Sequence, residues 1–437
     1  MSPERRPRTG PRLLWADEAG RVYDHPELLA AGWDGRSHRP LEAREGMPAP
    51  DGLQLAFLPG RRPVGIDPAS GRAVVLEDLR VEGRRVRPRA VAAVPPPGHV
   101  RHLLPAAEAG ARAAALPLRA YTAVGLLRGA IYPALARLDP HTHWDPGRFR
   151  RTDWEARLLG LRARFPRNRV VAQLERCVRE YGCCTASNLF LGSYEAGLPT
   201  APRCNARCLG CISEPRGAVP SPQVRLRRAP SVADIVEVAL HHLTRARPAM
   251  VSFGQGCEGE PLSEAERIAE AIRAIRRRTR RGTVHMNTNG SRPQALEALA
   301  AAGLQSVRIS LASARPEAFL AYHRGDYGLA EVEESATRAA ARGLRVAFNL
   351  LSLPGHTDSH EELEALVGLL ARSGAHMVQV RNLDLDPRPG GRWPPPLASA
   401  PLGMRAFLRA LRARRPGLEL GCFNRFREEW APGRPVC

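Results

Sequence analysis

Three cysteines crowd into eight residues, Cys204-Asn-Ala-Arg-Cys208-Leu-Gly-Cys211. Thiolates spaced C-x3-C-x2-C on a loop can face one inorganic centre. Structural zinc takes four ligands, usually as two C-x2-C pairs, and an ordinary [4Fe–4S] cluster takes four cysteines. The nearest fourth candidates, Cys183 and Cys184, lie about twenty residues upstream. Three ligands leave one iron open, which suits binding a substrate or cofactor as well as passing electrons. An incomplete zinc site, or three core cysteines, is the plain alternative. Further along the chain come Gly256-Cys257-Glu258-Gly259-Glu260-Pro261, Thr288-Asn289-Gly290, Ser310-Leu311-Ala312-Ser313, Asn349 with Pro354-Gly355, and Gln379, Arg381 and Asn382. Each has an ordinary reading when taken singly: a βα turn closed by Pro261, an Asn-Gly turn, the polar ends of strands.

In this order the stretches resemble the radical S-adenosyl-L-methionine (SAM) enzymes. The resemblance runs from about Leu198 to Pro387, with one element at the end of each strand. It implies that Cys204, Cys208 and Cys211 hold a [4Fe–4S] cluster whose fourth iron is chelated by SAM. Reduction then cleaves the sulfonium, and a 5′-deoxyadenosyl radical abstracts hydrogen from a substrate. Gly256 to Pro261 is similar to the family's Gly-Gly-Glu-Pro element. That likeness gives Glu260, with the backbone of Gly259 and Pro261, the amino group of the cofactor, an anion facing an ammonium. Asn289, Ser310 and Asn349 are implied contacts to ribose or carboxylate. Cys257, inside the same loop, is a candidate catalytic residue, as hydrogen donor, radical relay or spare ligand. A small electron donor of flavodoxin or ferredoxin type is implied as partner. Two departures stand out: Gly210 replaces an aromatic residue common before the third cysteine, and Glu258 replaces the first glycine of Gly-Gly-Glu-Pro.

These residues need elements to hold them. From Cys204 onward strand-like segments (Ala249–Phe253, Thr283–Asn287, Ser306–Leu311, Leu344–Leu350, His376–Arg381) alternate with helices. Capping-box patterns begin at Ser231, Ser263 and Ser359, and Pro293 and Pro316 stand where a first helical residue belongs. Such alternation argues for parallel βα units, whose ligand sites lie at the C-terminal ends of the strands. The expected fold is α/β, a partial (βα)6 barrel with an N-terminal β-rich or α+β extension. Residues 1–12 read as a disordered basic tail, 13–197 as the extension, 198–395 as the core and 396–437 as a C-terminal extension. Between Leu13 and Val94 short apolar runs are punctuated by Gly and Pro, and a hairpin is expected around Arg128-Gly129.

The chain has 437 residues, 65 basic side chains and 44 acidic ones, and it contains no lysine. Phosphate loops ending in Gly-Lys and Schiff-base chemistry are thereby excluded. The formal charge of +21 invites a nucleic-acid reading, but arginine-only usage reads as compositional bias, and 5% aromatic content is low for stacking on bases. No run approaches the ~20 apolar residues of a membrane span, so no membrane is expected and the compartment is read as cytoplasmic.

The other clusters have plain readings. His141-Thr-His143 lies among Asp-Pro turns, His241-His242 packs on a helix, and Arg276 to Arg281 closes one, where cations suit the dipole. Cys177, Cys183, Cys184, Cys422 and Cys437 read as buried or incidental thiols. The reaction expected is radical SAM chemistry on a small molecule or peptide. The alternatives are a non-catalytic iron–sulfur or zinc protein and an RNA-modifying or RNA-binding protein.

Overall fold

The computed structural model describes residues 10–149, 153–214, 219, 221–386 and 399–430. Most of the tail expected over 1–12, the boundary expected at 395/396 and Cys437 lie outside these residues. The chain divides into two compact units: one of Met1–Leu138, Ser352–Leu363 and Asn382–Ala413, the other of Asp139–Leu351, Glu364–Arg381 and Arg414–Cys437.

The first unit is built on short antiparallel strands around one long strand, Val22–Trp33, which pairs with several neighbours. Val124–Leu127 and Ala130–Pro133 form the hairpin expected from Arg128-Gly129, with φ of 51° and 77° at those two residues, the left-handed pair that a tight two-residue turn requires. Arg101, buried at 1% exposure, donates to the carbonyls of Leu383 (2.7 Å) and Ser352 (3.3 Å), tying the unit's separate segments together. Pro354-Gly355, likened above to a cofactor-facing segment, packs here on Asp34-Gly35. A side chain at position 355 would meet the Gly35 Cα at 2.2 Å.

The second unit carries a seven-stranded sheet: β1 Tyr194–Gly197, β2 Ala249–Phe253, β3 Thr283–Thr288, β4 Ser306–Leu311, β5 Arg345–Ser352, β6 Met377–Asn382 and β7 Glu419–Gly421, in sequential order. The ladders β1·β2, β2·β3, β3·β4, β4·β5 and β6·β7 are parallel. The intervening helices are α1 Val232–Arg245, α2 Ala265–Arg278, α3 Pro293–Ala302, α4 Pro316–His323, α5 Leu329–Ala341 and α6 His360–Ser373. Five strands fall within two residues of expectation; β1, which precedes the cysteines, and the short β7 complete the sheet.

Ser231 caps α1 with a full capping box, and Pro293 and Pro316 open α3 and α4. Ser359 accepts the Glu362 N–H at 3.1 Å ahead of α6. Ser263 does not cap as expected. A single 3-10 turn, Pro261–Glu264, precedes α2, and its cap is Glu260, while the Ser263 hydroxyl donates to the Glu260 carbonyl at 2.7 Å. Glu260 wins because Pro261 fixes the first position of the turn.

The strands alternate. Val284, Met286, Val307, Ile309, Val346 and Phe348 form one face, each 0% exposed. At about 2–3 kcal/mol for a fully buried large side chain, this face supplies much of the unit's cohesion. The other face carries His285, Asn287, Arg308, Ser310, Asn349 and Gln379. Gln379 donates to Asn424, just past β7, and Asn424 donates to Glu195 on β1, both at 2.9 Å. First and last strands are thus bridged, and the sheet curls into a half-barrel with its polar face inward.

Candidate functional site

The cysteine loop follows β1 and is held from two sides. On one side its backbone pairs with the loop after β2: Gly259 N–H donates to the Ala201 carbonyl at 2.6 Å and Glu260 N–H to the Arg203 carbonyl at 2.7 Å. Glycine at 259 is required by this approach, because a Cβ there would lie 2.0 Å from the Arg203 oxygen, one residue from Cys204. On the other side Arg207 and Leu209 donate to the carbonyls of His323 (2.9 Å) and Tyr322 (3.1 Å) at the end of α4. Asn205, inside the triplet, donates to Asp326 (2.8 Å) and Ser291 (3.1 Å) and accepts from the Asn289 amide (2.8 Å).

The three thiols are partly exposed and lie within electrostatic reach of one another and of Glu260. Burial pushes the Cys204 thiol up to about 11, and the charges of Glu260 and Cys211 add to the rise. Burial likewise pushes Cys208 up to about 12, helped by the charges of Cys204 and Cys211. Cys208 Sγ lies 3.5 Å from His323 Nδ1, and Cys211 Sγ lies 3.6 Å from the Ser213 hydroxyl and 3.8 Å from an Arg225 nitrogen. Among the described residues no three Cys, His or acidic side chains converge on a single metal ion. A cubane cluster presents separate irons to separate thiolates, so its ligands stand apart where zinc ligands crowd together.

Glu258 and Glu260 are both buried, at 4% and 5% exposure, yet they differ in partners. Glu258 accepts four backbone N–H groups: Thr200 (2.7 Å), Ala201 (2.8 Å), Gly254 (2.6 Å) and Gln255 (2.8 Å). Burial pushes its carboxyl up to about 7, while those four donors pull the other way. Glu260 accepts from Leu262 N–H (3.0 Å), Asn289 N–H (2.7 Å) and the Thr288 hydroxyl, and burial pushes it up to about 7 as well. Glu258 therefore knits two loops together. Glu260 links the cysteine loop, its own turn and the end of β3.

Asn289, expected as a ligand contact, has its amide engaged by Asn205 and by Ser291 N–H (3.0 Å). Ser310 and Asn349 are register partners on β4 and β5, and Asn349 Oδ1 is buried with no hydrogen-bond partner. Cys257 is buried at 3% exposure, and its thiol is hydrogen-bonded to that of Cys177. The charges acting on it are those of Cys177, Glu258 and Cys183, so the fold sets it beside a second thiol in place of an open site.

The sequence of the Radical SAM superfamily matches residues 198–367, the span that contains the triplet, the Glu260 turn and β2 to β5. Residues 198–367 form a radical SAM superfamily segment. A radical SAM enzyme's cofactors, a [4Fe–4S] cluster and SAM, are thereby implied. The donor set fits them: three thiols on one loop, a buried carboxylate, and the polar atoms Asn349 Oδ1 and Tyr327 Oη, unpartnered among the described residues. One curated relative is a probable dual-specificity RNA methyltransferase RlmN from Frankia alni, 31% identical over 207 residues, or 43% of this chain and 48% of that protein. The chain thus spans about half the length of the curated relative it matches. Among solved structures, a radical SAM methyltransferase from Sphaerobacter thermophilus is 20% identical with a TM-score of 0.39, covering 52% of this chain and 64% of the other. Streptococcus suis SuiB bound to S-adenosylmethionine is 13% identical with a TM-score of 0.38, covering 62% and 61%.

Several site residues were not singled out from sequence. Asn205, His323 and Tyr327 sit in the radical SAM core but carry no motif of their own, and only the fold brings α4 under the cysteines. Arg308 did leave a signal. Parallel strands covered on both faces are apolar throughout, and a charged residue in mid-strand announces an inner polar face. The His141 cluster is structural: His141 Nδ1 lies 2.7 Å from Asp139 and Nε2 3.3 Å from Glu429, and Asp139 pairs with Arg425 at 3.0 Å.

Proposed function

We propose that the chain binds a [4Fe–4S] cluster through Cys204, Cys208 and Cys211 and uses SAM to begin radical chemistry on its substrate. When bound, the cluster supplies one electron for cleavage of the SAM sulfonium. The observation that carries the reading is the link from triplet to carboxylate: Asn289 donates its backbone N–H to Glu260 and its side-chain amide to Asn205, between the first two cysteines. The cysteine loop and the Glu260 carboxylate thus share one hydrogen-bonded frame.

In this reading Glu260 receives the SAM ammonium on its carboxylate, and the backbones of Gly259 and Pro261 orient the same end. Asn349 Oδ1, buried and unpartnered, accepts a ribose hydroxyl, with Ser310 beside it. Asn289 serves as a positioning residue. Cys257 takes no step, because Cys177 occupies its thiol. Glu258 replaces the family's glycine as the clamp on the Thr200-Ala201 and Gly254-Gln255 amides. A cavity of about 490 Å³ lined by Arg203, Cys204, Asn205, Glu264 and Arg292 opens beside the first cysteine, a path by which a flavodoxin- or ferredoxin-type donor approaches the cluster. Radical SAM core over 198–395 and extension over 13–197 remain the working division of labour, with substrate selection assigned to the extension.

The test is anaerobic reconstitution. About four irons and four sulfides per chain are expected, with 5′-deoxyadenosine formed from SAM and dithionite. Cys208→Ala should lose both. One tight zinc without sulfide would instead favour a non-catalytic metalloprotein.

A second reading is RNA modification, favoured by the identity to an RNA methyltransferase and permitted by the charge of +21. It predicts methyl incorporation into a defined RNA and affinity that falls steeply with salt. Equal binding to any polyanion, without product, counts against it.

A further inference from the structure

The inward face of the half-barrel carries a second feature, not used in the reading above. Arg308 lies on β4 opposite Ala347 of β5. The small side chain of Ala347 lets the guanidinium pass over β5 and donate to Gln379 Oε1 on β6 at 3.1 Å. Arg381 stands two residues beyond Gln379 on the same face of β6. Burial pulls the Arg308 guanidinium down to about 9, the Arg381 charge adds to the fall, and the Glu195 charge opposes it.

The charges facing this pair are few. Glu195 on β1 has its Oε1 engaged by the Asn424 amide at 2.9 Å. His285 is pushed down to about 3 by burial and by the Arg308 charge, and it is held by Ser306 (2.7 Å) and Asn287 (3.0 Å). Cys422, a buried thiol pushed up to about 12 by burial, feels Arg381. Among the described residues neither Arg308 nor Arg381 forms an ion pair, whereas arginines on the outer surface pair repeatedly, as Arg338 and Arg342 do with Glu297. Two cations thus face one carboxylate, whose charge acts on Arg308, and otherwise neutral groups. Like charges held side by side on a half-buried face repel, and a single oxyanion between two guanidiniums turns that cost into two charge-assisted contacts.

We propose that Arg308 and Arg381 bind an anionic group of the substrate, a carboxylate or a phosphate, inside the half-barrel and next to Ser310 and Asn349. The assignment to substrate rests on the radical SAM reading, because SAM's own carboxylate is committed there to the cluster. The anion site itself does not depend on that reading.

The experiment is calorimetric titration of the reconstituted full chain with inorganic phosphate, succinate and, as a neutral control, succinamide. At least one anion binds, and which one distinguishes phosphate from carboxylate. Arg308→Gln and Arg381→Gln each weaken it by about tenfold or more; Arg308→Lys retains part of the affinity. SAM affinity stays within about twofold of the parent in each variant. A melting temperature of Arg381→Gln at or above the parent's shows that the loss is not unfolding, since the change relieves repulsion. Anions binding no better than succinamide would overturn the proposal. So would a matching loss of SAM affinity, which assigns the guanidiniums to the cofactor carboxylate. Cys208→Ala separates the two ideas: it should lose SAM cleavage yet keep anion binding.

Discussion

Two charges in the second unit, buried Glu258 and half-buried Arg308, make opposite use of their surroundings. Glu258 is enclosed by four backbone donors from two loops, so its charge is answered within the protein. Arg308 has one amide oxygen and a like-charged neighbour, so its charge is answered only in part. Burial alone does not mark a functional residue. A buried charge with a full set of partners holds the fold, and one without them keeps a place for something else.

The contrast can be broken first at Glu258. Glu258→Ala leaves four buried N–H groups to find other partners. At about 1–3 kcal/mol for each group left unmade, with partial relaxation, we expect a loss of about 4 kcal/mol in denaturant unfolding. A loss under about 1 kcal/mol would show that the carboxylate is not the clamp described. Phe348→Ala, on the apolar face of the same sheet, should cost about 3 kcal/mol as a cavity, measured in the same way.

Gly259→Ala comes next. Its Cβ must displace the Arg203 carbonyl, so iron content after reconstitution should drop to about half or less while the helical signal is kept; short contacts to backbone leave little room for relaxation. Full iron loading would show that the loop yields freely.

His141 provides a smaller, pH-dependent effect. Hydrogen bonds to Asp139 and then Glu429 push its imidazolium up to about 9, above the unfolded value near 6.5. The stabilisation is therefore complete below about pH 6.5 and is lost as pH rises towards about 9. His141→Gln should destabilise by about 1 kcal/mol at pH 6, discounted for partial exposure, and by almost nothing at pH 10. An equal effect at both pH values would remove the charge from the explanation. The smallest expected effect is that of Arg381→Gln, whose stability should match or slightly exceed the parent's.

Much of the sheet was readable, because alternating apolar positions and proline or serine start signals act locally. The Pro-Gly punctuation placed turns for the same reason. The cysteine spacing and the Gly-Glu-Pro run pointed to the proposed chemistry because the candidate ligands and the capping residue each sit close together in sequence. What could not be read was long-range. Asn205 meets Asn289 across 84 residues, and Cys257 finds Cys177 across 80. Ser263 looked like a cap, but Pro261 had already set the turn one step earlier. Gln379 and Arg381 were visible at the end of a strand, yet their meaning depended on Arg308 and on a curl that sequence periodicity does not encode.

The role of the triplet is decided by iron and 5′-deoxyadenosine measured side by side in parent and Cys208→Ala protein. About four irons per chain and steady deoxyadenosine release are expected for the parent, and neither for the variant. A variant that keeps its iron and still cleaves SAM would contradict it.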